Sequence, residues 1–307
     1  MQVKRIPIFR RMGMPLPALE EYYRLRRKAR FEQGKKLGHV QLREALYPLF
    51  ALFIKADRWL RRQTIEVIGN TEIQKGQVIY ACTHIGGNDL QSIFEVIRRG
   101  CWWFVGDPCV LYQEISGLLL YLNGCILLEL TDREDRRIAY ARAVELLKAG
   151  GSLMIYPEGA RNGTDNLPVM GLFQGTARMA MATDTKIVPT AIEQYGDRFV
   201  IRFGDALLPG DFQTPAELTQ KLRDAMATLK WEIWEREGLC ARADLPQNYR
   251  ELFQKEFETR IYPYDTLETV ERSRFHTKEE IEQNDAFAHL KRLNPCKENA
   301  FLFRNWN

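Results

Sequence analysis

Two short segments of this 307-residue chain hold the residue types from which a reaction centre can be built. The first is Thr83-His84-Ile85-Gly86-Gly87-Asn88-Asp89. Histidine has the ordinary pKa closest to neutrality, so His84 on a loop is suited to act as a general base. Asp89, five residues on, can bond the other imidazole nitrogen, which sets the tautomer and stabilises the cation formed on protonation. Gly86 and Gly87 permit the loop to turn back and bring the two side chains together. The competing reading makes Asp89 only the cap of the helix that follows. The second segment is Ile155-Tyr156-Pro157-Glu158-Gly159-Ala160-Arg161-Asn162-Gly163-Thr164. Arg161 offers a planar fork of donors that matches a phosphate, and Gly159 allows close backbone approach to a ligand. Glu158 either anchors that arginine or bonds an acceptor hydroxyl. The plain alternative is a structural turn with a surface arginine.

These segments need elements to position them. From residue 70 onward, short apolar runs alternate with amphipathic stretches. Val78–Cys82, Cys101–Val105, Cys125–Glu129, Ser152–Tyr156, Lys186–Ile192 and Arg198–Phe203 read as strands. Leu90–Arg98, Arg136–Lys148 and Thr176–Thr183 read as helices, and Thr214-Pro215-Ala216-Glu217 is a capping box that opens a further helix running to Gly238. The alternation predicts an α/β fold with a largely parallel central sheet flanked by helices. Active residues in such sheets collect at the carboxyl ends of strands, which would bring His84 and Arg161 to one edge. Two helices, over Leu19–Gln33 and Gln41–Arg62, form an N-terminal extension. The expected division is 1–64 as a basic helical extension, 65–238 as the α/β domain, and 239–307 as a helical and irregular segment with a helix over Lys278–Arg292.

The formal net charge of +4 conceals an asymmetry, because residues 1–62 hold 16 Lys and Arg against 5 Asp and Glu. A cationic segment carrying the apolar run Tyr47–Ile54 suits the surface of an anionic bilayer. That run is too short to cross a bilayer, so it lies on the membrane or packs as an ordinary amphipathic helix. Nucleic-acid binding is excluded because Arg24–Arg30 carries no reading motif and has Glu20, Glu21 and Glu32 beside it. The four histidines, His39, His84, His276 and His289, are too scattered to hold a metal, and the six cysteines contain no C-x-x-C pair, so no metal and a reducing compartment are expected. Met1–Arg11 is basic without the apolar stretch of a signal peptide.

Across roughly residues 65 to 235 the chain resembles the glycerophospholipid acyltransferase family, which includes the lysophosphatidic acid acyltransferases. His84 and Asp89 match the family's Asn-His-x-x-x-x-Asp motif, with Thr83 in place of the asparagine. Tyr156-Pro157-Glu158-Gly159-Ala160-Arg161 matches a Phe-Pro-Glu-Gly-Thr-Arg block, and Ile187-Val188-Pro189-Thr190-Ala191-Ile192 a later Val-Pro block. Gly124–Glu129 fits the first half of an intermediate motif; Leu130 stands where its arginine falls, with Arg133 just beyond. The resemblance implies that His84 deprotonates an acceptor hydroxyl while Asp89 orients it, with no covalent acyl-enzyme. Glu158, Gly159, Arg161 and Arg133 would bind substrate. It implies a thioester co-substrate, acyl-CoA or acyl carrier protein, rather than a cofactor. The acceptor would be a lysolipid and the location the inner face of the cell membrane, held peripherally from the cytoplasm. Leu118–Leu122 lines an acyl tunnel or is ordinary core. The rival readings are a hydrolase using the same pair and an inactive membrane-binding relative.

Overall fold

The computed structural model describes residues 3–7, 10–11, 13–69, 74–106, 122–129, 132–162, 168–240, 244–259 and 303–304. Leu130, most of the 118–122 run, and the helix expected over 278–292 lie outside them. The strands of the central sheet are β1 (Thr64–Gly69), β2 (Val78–Cys82), β3 (Trp102–Gly106), β4 (Cys125–Leu128), β5 (Leu153–Ile155), β6 (Lys186–Tyr195) and β7 (Arg198–Phe203). They form a seven-stranded sheet in the order β1-β7-β6-β2-β5-β3-β4. The pairs β1/β7, β2/β6 and β3/β4 run parallel, and the hairpin β6/β7 runs antiparallel. The α/β architecture with a largely parallel central sheet and flanking helices is the one the alternating pattern predicts.

The helices of the described residues are α1 (Leu16–Glu32), α2 (Val40–Ala45), α3 (Tyr47–Leu60), α4 (Asp89–Ile97), α5 (Arg133–Lys148), α6 (Gly175–Thr183), α7 (Pro215–Glu237) and α8 (Tyr249–Thr259). Two differences from expectation have physical causes. The single helix expected over Gln41–Arg62 is broken at Leu46 into α2 and α3. Pro48 has no N–H to return to the carbonyl of Glu44, and its ring clashes there. Strand β1 was not among the expected strands; its four central residues are half-buried between exposed ends.

Contacts divide the chain into two compact units, residues 1–50 with 100–153, and residues 51–99 with 154–307. In the first unit, α1 presents Arg24, Arg27 and Lys28, spaced three and four apart and therefore on one face. They pair with Asp132, Asp135 and Glu134 at the start of α5. Asp132 is also the N-cap of α5, accepting from the N–H groups of Glu134 and Asp135. Asp135 is buried at 3% exposure. Arg27 donates to both its oxygens, at 3.2 and 2.6 Å, and the Glu129 N–H adds a third bond at 2.7 Å. In the second unit, α7 opens with the expected Thr214–Glu217 capping box. It packs Leu229 and Ile233 on Ala191 and Val200 of the hairpin.

The two acidic partners should differ sharply in weight. Removing Asp135 strands the Arg27 guanidinium and the Glu129 N–H, so Asp135→Ala is expected to lower stability by about 3 to 5 kcal/mol. Glu134→Ala, which breaks only the exposed pairs with Lys28 and Arg137, should shift the urea midpoint far less. Equal midpoints for the two variants would refute the assignment.

Candidate active site

The site lies within the second unit, where β2 and β5 end. All five residues of β2 are buried, and the chain leaves the strand through Thr83. Thr83 is tied to β6 on both sides: its N–H donates to the Thr190 carbonyl at 3.0 Å, and its hydroxyl accepts from the Ile192 N–H at 3.0 Å. The residue that departs from the family motif thus has a structural task, holding His84 at a fixed height above the sheet.

Beyond it the loop reverses. Gly86 and Gly87 have φ of 87° and 61°, a region that glycine enters without steric cost. The reversal carries Asp89, the first residue of α4, back under the loop. Its Oδ2 lies 2.7 Å from His84 Nδ1 and accepts from the N–H groups of Ile85 and Gly86 at 2.9 Å each. Its Oδ1 accepts from the Tyr156 hydroxyl at 3.1 Å. The cap position belongs to Asn88 instead, so Asp89 is not merely a helix cap. Burial by itself would raise the Asp89 pKa. The charge and hydrogen bond of His84 and the two backbone donors outweigh it, and the carboxyl stays below its ordinary range. With Asp89 ionised, Nδ1 carries the hydrogen and Nε2 is left as the basic nitrogen. The His84 side chain keeps 21% of its surface exposed.

Strand β5 delivers the second segment. The Tyr156 ring stacks on His84 with centroids 3.9 Å apart and planes 11° from parallel. Glu158 is buried at 2% exposure, where its Oε2 accepts from the Met170 N–H at 2.8 Å and its Oε1 from the His84 N–H at 3.4 Å. Burial raises its pKa, opposed by the Met170 bond and the charge of Lys230. Glu158 therefore joins the two loops through their backbones. The Asn162 N–H donates to the His84 carbonyl at 2.8 Å, which ties the Arg161 loop to the same residue. Arg161 is itself buried at 8% exposure, contrary to the surface-arginine alternative. Gly159 has φ of 71°, and a Cβ there would sit 2.5 Å from the Phe173 ring. Its structural requirement is thus a turn beneath an aromatic ring.

His84, Asp89, Glu158, Gly159 and Arg161 are gathered as the motifs suggested. Arg133 belongs to the first unit, exposed as the first residue of α5. Three contributors were missed. The Tyr156 hydroxyl was passed over because the ring fills an aromatic motif position. Arg223 donates to the carbonyl of Met170 at 3.2 Å, supporting the strand of loop that binds Glu158. Lys230 bonds Glu193 at 2.7 Å and the Ile192 carbonyl at 2.6 Å. Both cations are buried on α7 among Leu222, Met226 and Ile233. A charge inside an apolar stripe is the sequence signal that marks them.

The site holds an imidazole oriented by a buried carboxylate, and residues 64–193 match the family model described as Acyltransferase. The chain is similar to that family over those residues, which make up less than half of its length. It is 26% identical over 149 residues to a 1-acyl-sn-glycerol-3-phosphate acyltransferase of Borreliella burgdorferi; the match covers 48% of this chain and 58% of that protein. In fold it is similar to the 1-acyl-sn-glycerophosphate (LPA) acyltransferase PlsC of Thermotoga maritima, with a TM-score of 0.52 and 16% identity over 71% of this chain and 92% of the other.

Two measurements check the site. The folded pKa of Asp89 lies below its unfolded value, so its contribution to stability is present above the unfolded value, about 3.9, and is lost as pH falls through the folded one. Asp89→Asn should consequently cost most near neutrality, and the difference from wild type in urea unfolding should shrink in acid. A difference independent of pH would contradict the ionised assignment. Gly159→Ala should lose on the order of 2 kcal/mol or more through the positive φ and the Phe173 clash. An unshifted thermal midpoint would remove that role.

Proposed function

We propose that the protein is an O-acyltransferase moving a fatty acyl group from a thioester to the hydroxyl of a lysophospholipid, with residues 65–238 as the transferase domain. The observation that carries this reading is the His84–Asp89 pair, held at 2.7 Å on a strand-end loop inside the stretch that matches the acyltransferase family. His84 Nε2 takes the hydroxyl proton as the acceptor oxygen attacks the thioester carbonyl. The carbon–sulfur bond breaks, and the departing thiolate receives a proton from the imidazolium. Asp89 supports that cation. Arg161, with Glu158 and Gly159 shaping its loop, binds the phosphate of the acceptor. The relative's name, a 1-acylglycerol-phosphate acyltransferase, favours a lysophosphatidate-like acceptor.

No cofactor or metal enters this scheme; the co-substrate is acyl-CoA or an acyl carrier protein thioester. The protein acts at the surface of an anionic membrane, from the cytoplasmic side. The cationic N-terminal segment supports this, as does α3, where Leu52, Phe53, Trp59 and Leu60 are exposed at 65%, 47%, 76% and 72%. No helix of the described residues is long and apolar enough to cross a membrane.

The test incubates wild type and His84→Ala with radiolabelled acyl-CoA, and separately acyl carrier protein thioester, and a panel of lysolipids. Wild type should form a labelled phospholipid, and His84→Ala should be slower by roughly 10² to 10⁴ with its fold intact. Labelled free fatty acid alone would make it a hydrolase; no product with any pair would make it an inactive membrane-binding relative.

A further inference from the structure

Four cations of the first unit converge on one cavity for which the transfer reaction has no use. The cavity has a volume of about 320 Å³ and is lined by Arg5, Arg26, Arg30 and Lys35 over an apolar floor that includes Val3 and Ala29. Two pieces of chain build it. Helix α1 supplies Arg26 and Arg30, spaced four apart on one face, and buries Ala29 between them at 3% exposure. The leading segment is fastened along α1 by the Ile6 N–H, which donates to the Tyr22 hydroxyl at 3.2 Å, and this brings Arg5 to the rim.

The same helix provides its own comparison. Arg24, Arg27 and Lys28 each pair with an acidic residue of α5 or of its cap. Arg5, Arg26, Arg30 and Lys35 make no ion pair with any described residue. Like charges four apart on a helix repel, and gathering two more around the same hollow adds to that repulsion. An arrangement of this kind is relieved by an anion of matching charge. Three guanidinium forks and an ammonium around a concave site of this volume fit a phosphate group, which accepts several charge-assisted bonds at once.

We infer that this cavity is a phosphate-binding site, recognising a phosphate ester at the end of a small molecule or at the head of a lipid. The inference stands whether or not the His84 pair transfers acyl groups, and its test reads binding rather than turnover. The full chain, an Arg26→Gln/Arg30→Gln variant and an Arg5→Gln/Lys35→Gln variant are titrated calorimetrically with inorganic pyrophosphate at constant ionic strength. Each is also sedimented with vesicles of phosphatidylcholine, with and without phosphatidate. The second variant lies outside the helix, so loss in both is not an effect of α1 unfolding. The pyrophosphate Kd is expected to rise about tenfold or more in each variant, the loss of at least one charge-assisted bond. If the extra binding that phosphatidate confers falls as well, the ligand is a lipid headgroup. If it is unchanged while pyrophosphate binding falls, the ligand is a soluble phosphate ester. Wild type that binds neither probe, or variants that bind both as wild type does, would overturn the inference.

Discussion

A carboxylate at 1% exposure must have every oxygen satisfied, or it gives up its charge. Asp89 meets that condition with three donors on one oxygen and one on the other. Each donor constrains a different part of the unit. The Ile85 and Gly86 N–H groups face it only because Gly86 and Gly87 reverse the loop, and the Tyr156 hydroxyl reaches it only because β5 ends beside β2. The imidazole is then held through Nδ1 and by the stacked Tyr156 ring, so little orientational freedom remains to be lost when a substrate arrives.

Glu158 performs a second kind of positioning. Its carboxyl is pushed toward neutrality by burial, and it spends its two oxygens on backbone N–H groups from two loops. Those loops carry His84 and the Arg161 donor fork, and Arg223 braces one of them from α7. The His84–Asp89 pair is thereby supported from beneath by groups of both loops and of α7.

In the first unit, charge is sorted along a single helix. Three cations of α1 are neutralised by the acidic start of α5, where a buried aspartate and an N-cap also favour the positive end of the helix dipole. The remaining cations, Arg26 and Arg30, line the cavity. The net excess of positive charge in residues 1–62 is thus a mixture of structural ion pairing and surplus.

The sequence alone determined the alternation of strands and helices, the capping box at Thr214, and the loop positions of His84, Asp89, Glu158, Gly159 and Arg161. These follow from local periodicity and from residue chemistry read at short range. The break at Leu46 was legible in principle, since Pro48 forbids the bond it interrupts. Tertiary structure decided which groups face one another. Residue 156 is 67 positions from Asp89, and Met170, Arg223 and Lys230 lie further still along the chain from His84, so no spacing rule connects them. The requirement for Gly159 likewise comes from Phe173, a ring placed by the return of the loop, and the role of Thr83 from the neighbouring strand β6. Local pattern selects the elements, but burial and hydrogen-bond satisfaction across the sheet select the partners.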